Sequence, residues 1–234
     1  MIAIDGPAGA GKSTVARAVA RQLGYVYLDT GAMYRAVTLE FLRRNVPLDR
    51  PSEVRRAVAR IRIDFDDSGQ VLLNGKDVSD EIRGPRVTGA VSAVAAHPEV
   101  RRRLVRLQRA IARRSPGVVV EGRDTTTVVF PRATAKFFLE ADLAERARRR
   151  AREMRAAGVR APMERLRREI AGRDRRDSER RLSPLRRAAD AVVLDTTNLS
   201  VRSVVRRVLE EIGRRRPAGV RKQAPRRRTP RREE

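Results

Sequence analysis

Residues 6 to 14 read Gly6-Pro7-Ala8-Gly9-Ala10-Gly11-Lys12-Ser13-Thr14. Gly6, Gly11, Lys12 and Ser13 fit the phosphate-loop spacing G-x-x-x-x-G-K-[ST] without a mismatch. Such a loop does one kind of chemistry. Its glycines let the backbone curl round an anion with the amides inward. Lys12 has the length to meet the β- and γ-phosphates of a nucleotide, and the Ser13 hydroxyl is a hard oxygen donor for magnesium. A helix starting at Lys12 aims the positive end of its dipole at the same charge. A flexible Gly-Ala turn would explain neither Lys12 nor Ser13. The elements that must position the loop are legible around it. Ile2-Ala3-Ile4-Asp5 reads as a short buried strand. Val15, Ala18, Val19, Ala20 and Leu23 recur at helical spacing, and Gly24 supplies a stop.

A phosphate loop specifies a nucleotide but not a reaction, and three further clusters carry charge to the same region. Leu28-Asp29-Thr30-Gly31-Ala32-Met33-Tyr34-Arg35 follows a second strand-like run. Val120-Glu121-Gly122-Arg123-Asp124 puts carboxylates and a guanidinium at the end of an apolar strand, where charge is costly unless it meets a ligand or partner. Arg173, Asp177 and Arg180 fall at i, i+4 and i+7, which predicts one helix face carrying two guanidinium groups and a carboxylate. That set suits a phosphorylated ligand. Singly, each cluster also reads as an ordinary ion pair or solvated ladder; together with the phosphate loop they point to a second, anionic substrate.

Alternating strand and helix signals predict an α/β fold with a five-stranded parallel sheet flanked by helices. The strands are expected near residues 1–5, 25–29, 118–121, 135–139 and 191–195, and a last helix over 201–214 is capped by Asn198 or Ser200. Ligands of such sheets sit beyond the carboxyl ends of the strands, where Asp5, Asp29, Glu121 and Asp195 lie. Two stretches break the rhythm. Residues 61 to 82 carry Ser68-Gly69 and Asn74-Gly75 turn signals and predict a small antiparallel insert. Residues 152 to 187 have no strand pattern and many arginines, and predict a helical hairpin that acts as a lid. The expected organisation is core over 1–58, insert over 59–100, core over 101–151, lid over 152–187, core over 188–213 and a basic tail over 214–234.

Cysteine is absent and His97 is the one histidine, which excludes disulfides, thiolate metal sites and multi-histidine cages. His97 precedes Pro98 and reads as structural. No run is apolar enough to span a bilayer and no secretory signal precedes the first strand, so a soluble cytoplasmic protein with no membrane contact is expected. The net charge is +25. Residues 213 to 234 hold ten basic and two acidic residues, or +8, and 25 − 8 leaves +17 on the body. The tail cannot bury a core and is expected to be disordered. Non-specific nucleic-acid contact through it is a further expectation, although three Tyr, five Phe and no Trp leave little for base stacking.

In the segments IDGPAGAGKST, LDTGAMYR, NGKDVSDEIR, SAVAAHPEVRRRLVRLQR, VVVEGRDTTTVVFP and RDRRDSERRLSPLRRAADAVVLDTT, the chain resembles the bacterial cytidylate kinases, a family of nucleoside monophosphate kinases. The segments run in family order from the first strand to about Leu209. The resemblance implies a P-loop kinase fold with an NMP-binding insert and an arginine-rich lid. It also implies MgATP-dependent phosphorylation of CMP and dCMP by a monomer. Gly6 to Thr14 would hold ATP, with Ser13 on magnesium. Arg35, Arg123 and Arg180 match positions that clamp the CMP phosphate. Ser92, Arg101 and Asp124 match those that read the cytosine edge, Arg173 and Asp177 lie near the ribose, and Thr30 near the base. Lys12, Arg123, Arg173 and Arg180 would supply the charge for transfer. A carboxylate at Asp124 accepts from the cytosine amino group and repels the carbonyl that uracil has there, so CMP is expected to beat UMP.

The chain departs from the family in two places. Thr125-Thr126-Thr127 stands where many relatives have an apolar residue, then glycine, then threonine, which would place an added side chain at the pocket floor. Glu121 stands where a shorter aspartate is common, which bears on its reach toward magnesium. Two other readings compete: a kinase for UMP or AMP, against which Ser92, Arg101 and Asp124 argue, and an RNA- or ribosome-associated P-loop protein that uses its positive field.

Overall fold

The computed structural model describes residues 1–66, 69–156 and 158–215. Five strands form one sheet: β1 (Ile2–Asp5), β2 (Val26–Asp29), β6 (Val118–Gly122), β7 (Ala135–Glu140) and β8 (Val192–Asp195), in the order β2-β6-β1-β7-β8. Every neighbouring pair is parallel, with Ile4 opposite Glu121 and Phe137 across β1. The expected parallel sheet is therefore present. Both faces are covered, so the strands are apolar on both sides. Ile2, Ile4, Val119, Phe137 and Leu139 pack with α1 (Lys12–Leu23) and α8 (Val201–Arg215). Ala3, Leu28, Val118 and Val120 face the opposite way, toward α2 (Thr30–Arg43), α4 (Pro85–Ala96) and α5 (Pro98–Arg114).

Strand order reverses at β1, with β6 on one side and β7 on the other. This opens a crevice at the carboxyl ends, and the loop from Gly6 to Gly11 lies across it. Close approach fixes the first glycine: a Cβ on Gly6 would sit 2.0 Å from the Leu139 carbonyl oxygen, and its φ is +149°. Gly24 ends α1 in the left-handed conformation, with its amide bonded back into the last turn.

After α3 (Pro51–Ala59), β3 (Ile63–Phe65), β4 (Val71–Leu73) and β5 (Lys76–Asp77) form the antiparallel insert. Asn74 and Gly75, both at positive φ, close its second hairpin with Leu73 opposite Lys76. In the first hairpin, Ser68 lies outside the described residues. His97 caps α5: its Nδ1 accepts from the Glu99 amide at 3.2 Å, which agrees with a structural role. Ser200 accepts from the Ser203 amide at 3.1 Å and caps α8.

The helical hairpin consists of α6 (Leu143–Ala156) and α7 (Met163–Glu179), so it starts before residue 152. Its own small core joins Ala147, Leu166 and Ile170 to Ala8 of the phosphate loop. Arg214 and Arg215 belong to α8, and the rest of the basic tail, 216–234, lies outside the described residues. Among the described residues no helix is long and apolar enough to cross a membrane.

Candidate active site

A cleft of about 1300 Å³ runs along the carboxyl ends of the strands, from the phosphate loop to the N-terminal half of α2 and the inner faces of α4 and α7. On its floor, Gly11 precedes α1 in the left-handed conformation and offers no side-chain acceptor to the first helical amides. Those donors point to the cleft, as anion binding needs. Lys12 is buried and donates from Nζ to the Pro7 carbonyl at 2.8 Å. Burial, then the Arg123 charge, lowers its pKa to about 7, against the opposing pull of Glu121. Ser13 Oγ donates to Glu121 Oε1 at 2.6 Å, and the Tyr27 hydroxyl approaches the same oxygen at 3.4 Å. Burial and the neighbouring Asp29 push the Glu121 carboxyl up. The longer side chain at 121 thus reaches Ser13 directly.

The second half of the site is built from five elements. Arg123, just past β6, donates from Nε to Asp177 Oδ2 at 2.9 Å and from Nη1 to the Gly6 carbonyl. Asp124 is buried between two guanidinium groups, Arg101 of α5 and Arg180, the latter at 3.3 Å. Burial nevertheless raises its pKa, with Arg101 and Arg180 opposing. Arg101 is itself held by the Ala95 carbonyl at 3.1 Å and lies over the Tyr34 ring at 5.4 Å. Arg35 of α2 donates to the Ile82 carbonyl and Thr88 Oγ1, both at 2.9 Å; burial and Arg83 lower its pKa to about 10. Arg173 of α7 lies 4.0 Å from Asp177, too far for a hydrogen bond. Burial, with Arg123 and Arg35 next, lowers its pKa to about 9. Ser92 lines the cleft from α4. Thr30 lines it too, but its hydroxyl donates to the Glu121 carbonyl at 2.7 Å and braces the end of β6.

Ala8 to Thr14 of the loop, Thr30, Arg35, Ser92, Arg123, Asp124, Arg173, Asp177 and Arg180 line one cleft, Arg101 stands behind it on Asp124, and Gly6 and Pro7 lie outside the lining; two corrections of geometry follow. Arg180 is not on the helix face of Arg173 and Asp177. The helix stops at Glu179 and Arg180 is extended, at φ −59° and ψ 137°. The chain turns there so that the Leu185 amide bonds the Asp177 carbonyl at 2.8 Å, and Pro184 cannot continue a helix. The second correction concerns Thr125 and Thr126. Neither lines the cleft; both point beneath it to Asp5. Asp195 also stays out of the cleft and accepts from the Thr197 amide and hydroxyl.

Sequence reasoning missed the far wall of the cleft. Arg149 and Arg150 of α6 line it, as do Thr196, Thr197 and Leu199 beyond β8. Arg149 donates to Thr196 Oγ1 at 3.0 Å and to its carbonyl. The strand-end rule that pointed to Asp195 would have reached Thr196 and Thr197, one and two residues further on. Nothing in a run of seven residues with five arginines distinguishes Arg149 from its neighbours. A contact between the hairpin of α6 and α7 and the loop was missed as well. Asp174 accepts from the Ala8 amide at 2.9 Å, while Arg146 donates to the Ala8 carbonyl at 3.0 Å and pairs with Asp174.

A family model described as cytidylate kinase matches residues 2–214. The cytidylate kinase of Carboxydothermus hydrogenoformans is 51% identical over 216 residues, which cover 91% of this chain and 97% of that one. The cytidylate kinase of Geobacillus kaustophilus is 52% identical over 217 residues, 92% of this chain and 96% of that one. The chain belongs to the cytidylate kinase family. Among solved structures, TT1252 from Thermus thermophilus aligns at 24% identity and a TM-score of 0.42 over 90% of this chain and 96% of that one. For this family member the fold rests on the strand order and register above.

A kinase of this class implies a divalent cation, and the donor set at the loop fits magnesium. The Ser13 hydroxyl and Glu121 carboxylate are hard oxygens that touch each other at the mouth of the loop. Among the described residues no group of three or more His, Cys, Asp or Glu side chains forms a metal cage. Magnesium keeps several waters and takes few protein ligands beside substrate phosphates, so these two oxygens are the share that the chain would supply.

Proposed function

We propose that this cytidylate kinase family member transfers the γ-phosphoryl group of ATP to CMP and dCMP, giving CDP or dCDP and ADP. One observation carries the proposal: Lys12, Arg35, Arg123 and Arg173 crowd one cleft beside a phosphate loop. Burial first and then Arg123 disfavour Lys12 and Arg173 as cations, with Arg35 adding to the effect on Arg173. Entering anions relieve that repulsion, and two phosphorylated substrates supply them.

The loop amides and Lys12 bind the ATP phosphates. Ser13 and Glu121 hold magnesium, which when bound neutralises phosphate charge. Arg35, Arg123 and Arg180 clamp the CMP phosphate, Arg173 and Asp177 face the sugar, and Asp124, Arg101 and Ser92 read the base. Asp124 reaches the cytosine amino group as a carboxylate because Arg101 and Arg180 brace it. In the transfer, a CMP phosphate oxygen bonds to the γ-phosphorus while the bond to the bridging oxygen breaks, and the charge leaves on ADP. The attacking oxygen is already an anion, so no general base is required. The insert and α4 act as the acceptor flap. The hairpin of α6 and α7 closes over the loop and excludes water.

The test is ADP formation by the purified protein with MgATP and each of CMP, dCMP, UMP and AMP. Turnover with CMP and dCMP at a kcat/KM at least about 10²-fold above the others is expected. Comparable turnover with UMP overturns the account of base choice, and none with any of them overturns the reaction.

A further inference from the structure

Asp5 is fully buried, and it lies outside the cleft at the last position of β1. Its carboxylate is saturated by one short segment. Oδ1 accepts from the Thr125 amide at 3.0 Å and the Thr125 hydroxyl at 2.7 Å. Oδ2 accepts from the Thr126 amide at 2.7 Å and the Thr126 hydroxyl at 2.6 Å. Asp5 also stands opposite Gly122 in the β1–β6 register. The next residue on each side completes the joint, since the Gly6 carbonyl accepts from Arg123 Nη1. Arg123 and Asp124, which face the acceptor nucleotide, are thus stitched across the strand that launches the phosphate loop.

We propose that Asp5 is a positioning residue. Through Thr125 and Thr126 it sets Arg123 and Asp124 at a fixed distance from the phosphate loop, so that acceptor and donor phosphates meet in line. The inference rests on the reaction proposed above. The buried charge has a clear use here. Four donors converge on one carboxylate, and each oxygen takes an amide and a hydroxyl from a single residue. An amide side chain cannot copy that. In Asp5→Asn one oxygen becomes an NH2 facing a backbone N–H. The threonine hydroxyl can turn round to accept, but the N–H cannot, so residue 125 or 126 must move and carry Asp124 with it. The Thr126 hydroxyl adds the fourth hydrogen bond of the clasp.

The experiment compares the CMP-to-UMP ratio of kcat/KM in the parent, D5N and T126V, with thermal unfolding and KM for ATP measured alongside. A displaced Asp124 loses base discrimination, so the ratio is expected to fall at least about tenfold in D5N and about threefold in T126V, with KM for ATP nearly unchanged. A role in stability alone lowers the folded fraction and both rates in parallel; an unchanged ratio in the folded variants overturns the proposal. A rise in KM for ATP with an intact ratio does so too, because Asp5 would then serve the donor loop only. If D5N does not fold, T126V decides, since it keeps both amide bonds and changes one hydroxyl to a methyl. A parent with no CMP turnover overturns the reaction reading first, before any variant is compared.

Discussion

Lys12 is a buried ammonium that donates to the Pro7 carbonyl and feels the charges of Arg123 and Arg173. Its pKa falls from 10.5 to about 7, chiefly through burial. The unfolded chain therefore binds more protons than the folded one between about pH 7 and 10.5, and the cost of burying the ammonium is relieved as pH rises through that window. Lys12→Met should raise the urea midpoint at pH 7 while it lowers kcat about 10³-fold, as expected when a charge serves the transition state rather than the fold. ATP binding near pH 7 should take up protons, because the phosphates restore the ammonium; calorimetry in buffers of different ionisation enthalpy measures that uptake. At Asp124 the expected effect is on choice of base. Asp124→Asn replaces an acceptor with a donor beside the cytosine amino group, so the CMP-to-UMP ratio of kcat/KM should fall about 10²-fold toward unity. Lys12 was legible from the phosphate-loop spacing and Asp124 as a charge at the end of an apolar strand, while the role of Asp124 toward the base came from the family resemblance. Asp5 was legible only as a strand-end acid. Its partners lie 120 and 121 positions away, and no local pattern encodes such a pairing.

At the level of elements, the joins carry the demands. A Cβ at Gly6 would meet backbone, the Leu139 carbonyl on β7, which cannot swing aside as a side chain does. Gly6→Ala should therefore destabilise by about 3 kcal/mol or more, read from urea unfolding, and abolish ATP binding in the fraction that folds. His97→Ala removes the cap of α5, the helix that carries Arg101. A loss of about 1 kcal/mol is expected with kcat within about twofold, which separates a capping role from a catalytic one. The regular elements were readable because periodicity, apolar runs and glycine stops are local signals. All five parallel strands and the helices after the loop and after β8 fall within a residue or two of their expected places. The end of α7 was not readable as such. Arg173, Asp177 and Arg180 obey helical spacing, yet Arg180 leaves the helix because Asp124, 56 residues away in the chain, offers a buried partner, and Ser183-Pro184 breaks the turn. Likewise the seat of the lid hairpin on Ala8 depends on Asp174, which in sequence is one more charge in an arginine-rich run.

Across the whole molecule, the charge of +25 divides between function and surface. A small set of guanidinium groups faces the cleft. Many others run along helix exteriors, in pairs such as Arg165–Glu169 and Arg206–Glu210 that contribute little to stability. The remaining concentration is residues 216–234, with eight basic and two acidic side chains, beyond the end of α8. Such a segment next to a basic body attracts polyanions by counterion release, an effect that is independent of sequence and steep in salt. With few aromatic residues in the chain, base stacking adds little to it. The full chain is therefore expected to bind single-stranded RNA weakly, with an affinity that falls as salt rises. A chain ended after Arg215, which keeps α8 whole, should bind more weakly, and its plot of log affinity against log salt should be shallower by about 0.7 for each phosphate that the tail neutralises. Its kcat with CMP should stay within about twofold of the full chain, because none of the described residues that line the cleft is removed. Equal RNA affinity and equal slope in the two forms would place any nucleic-acid contact on the body and leave the tail without a part in it. A fall in kcat on truncation would instead tie the tail to lid motion, since the cleft wall beyond β8 leads directly into the helix from which the tail extends.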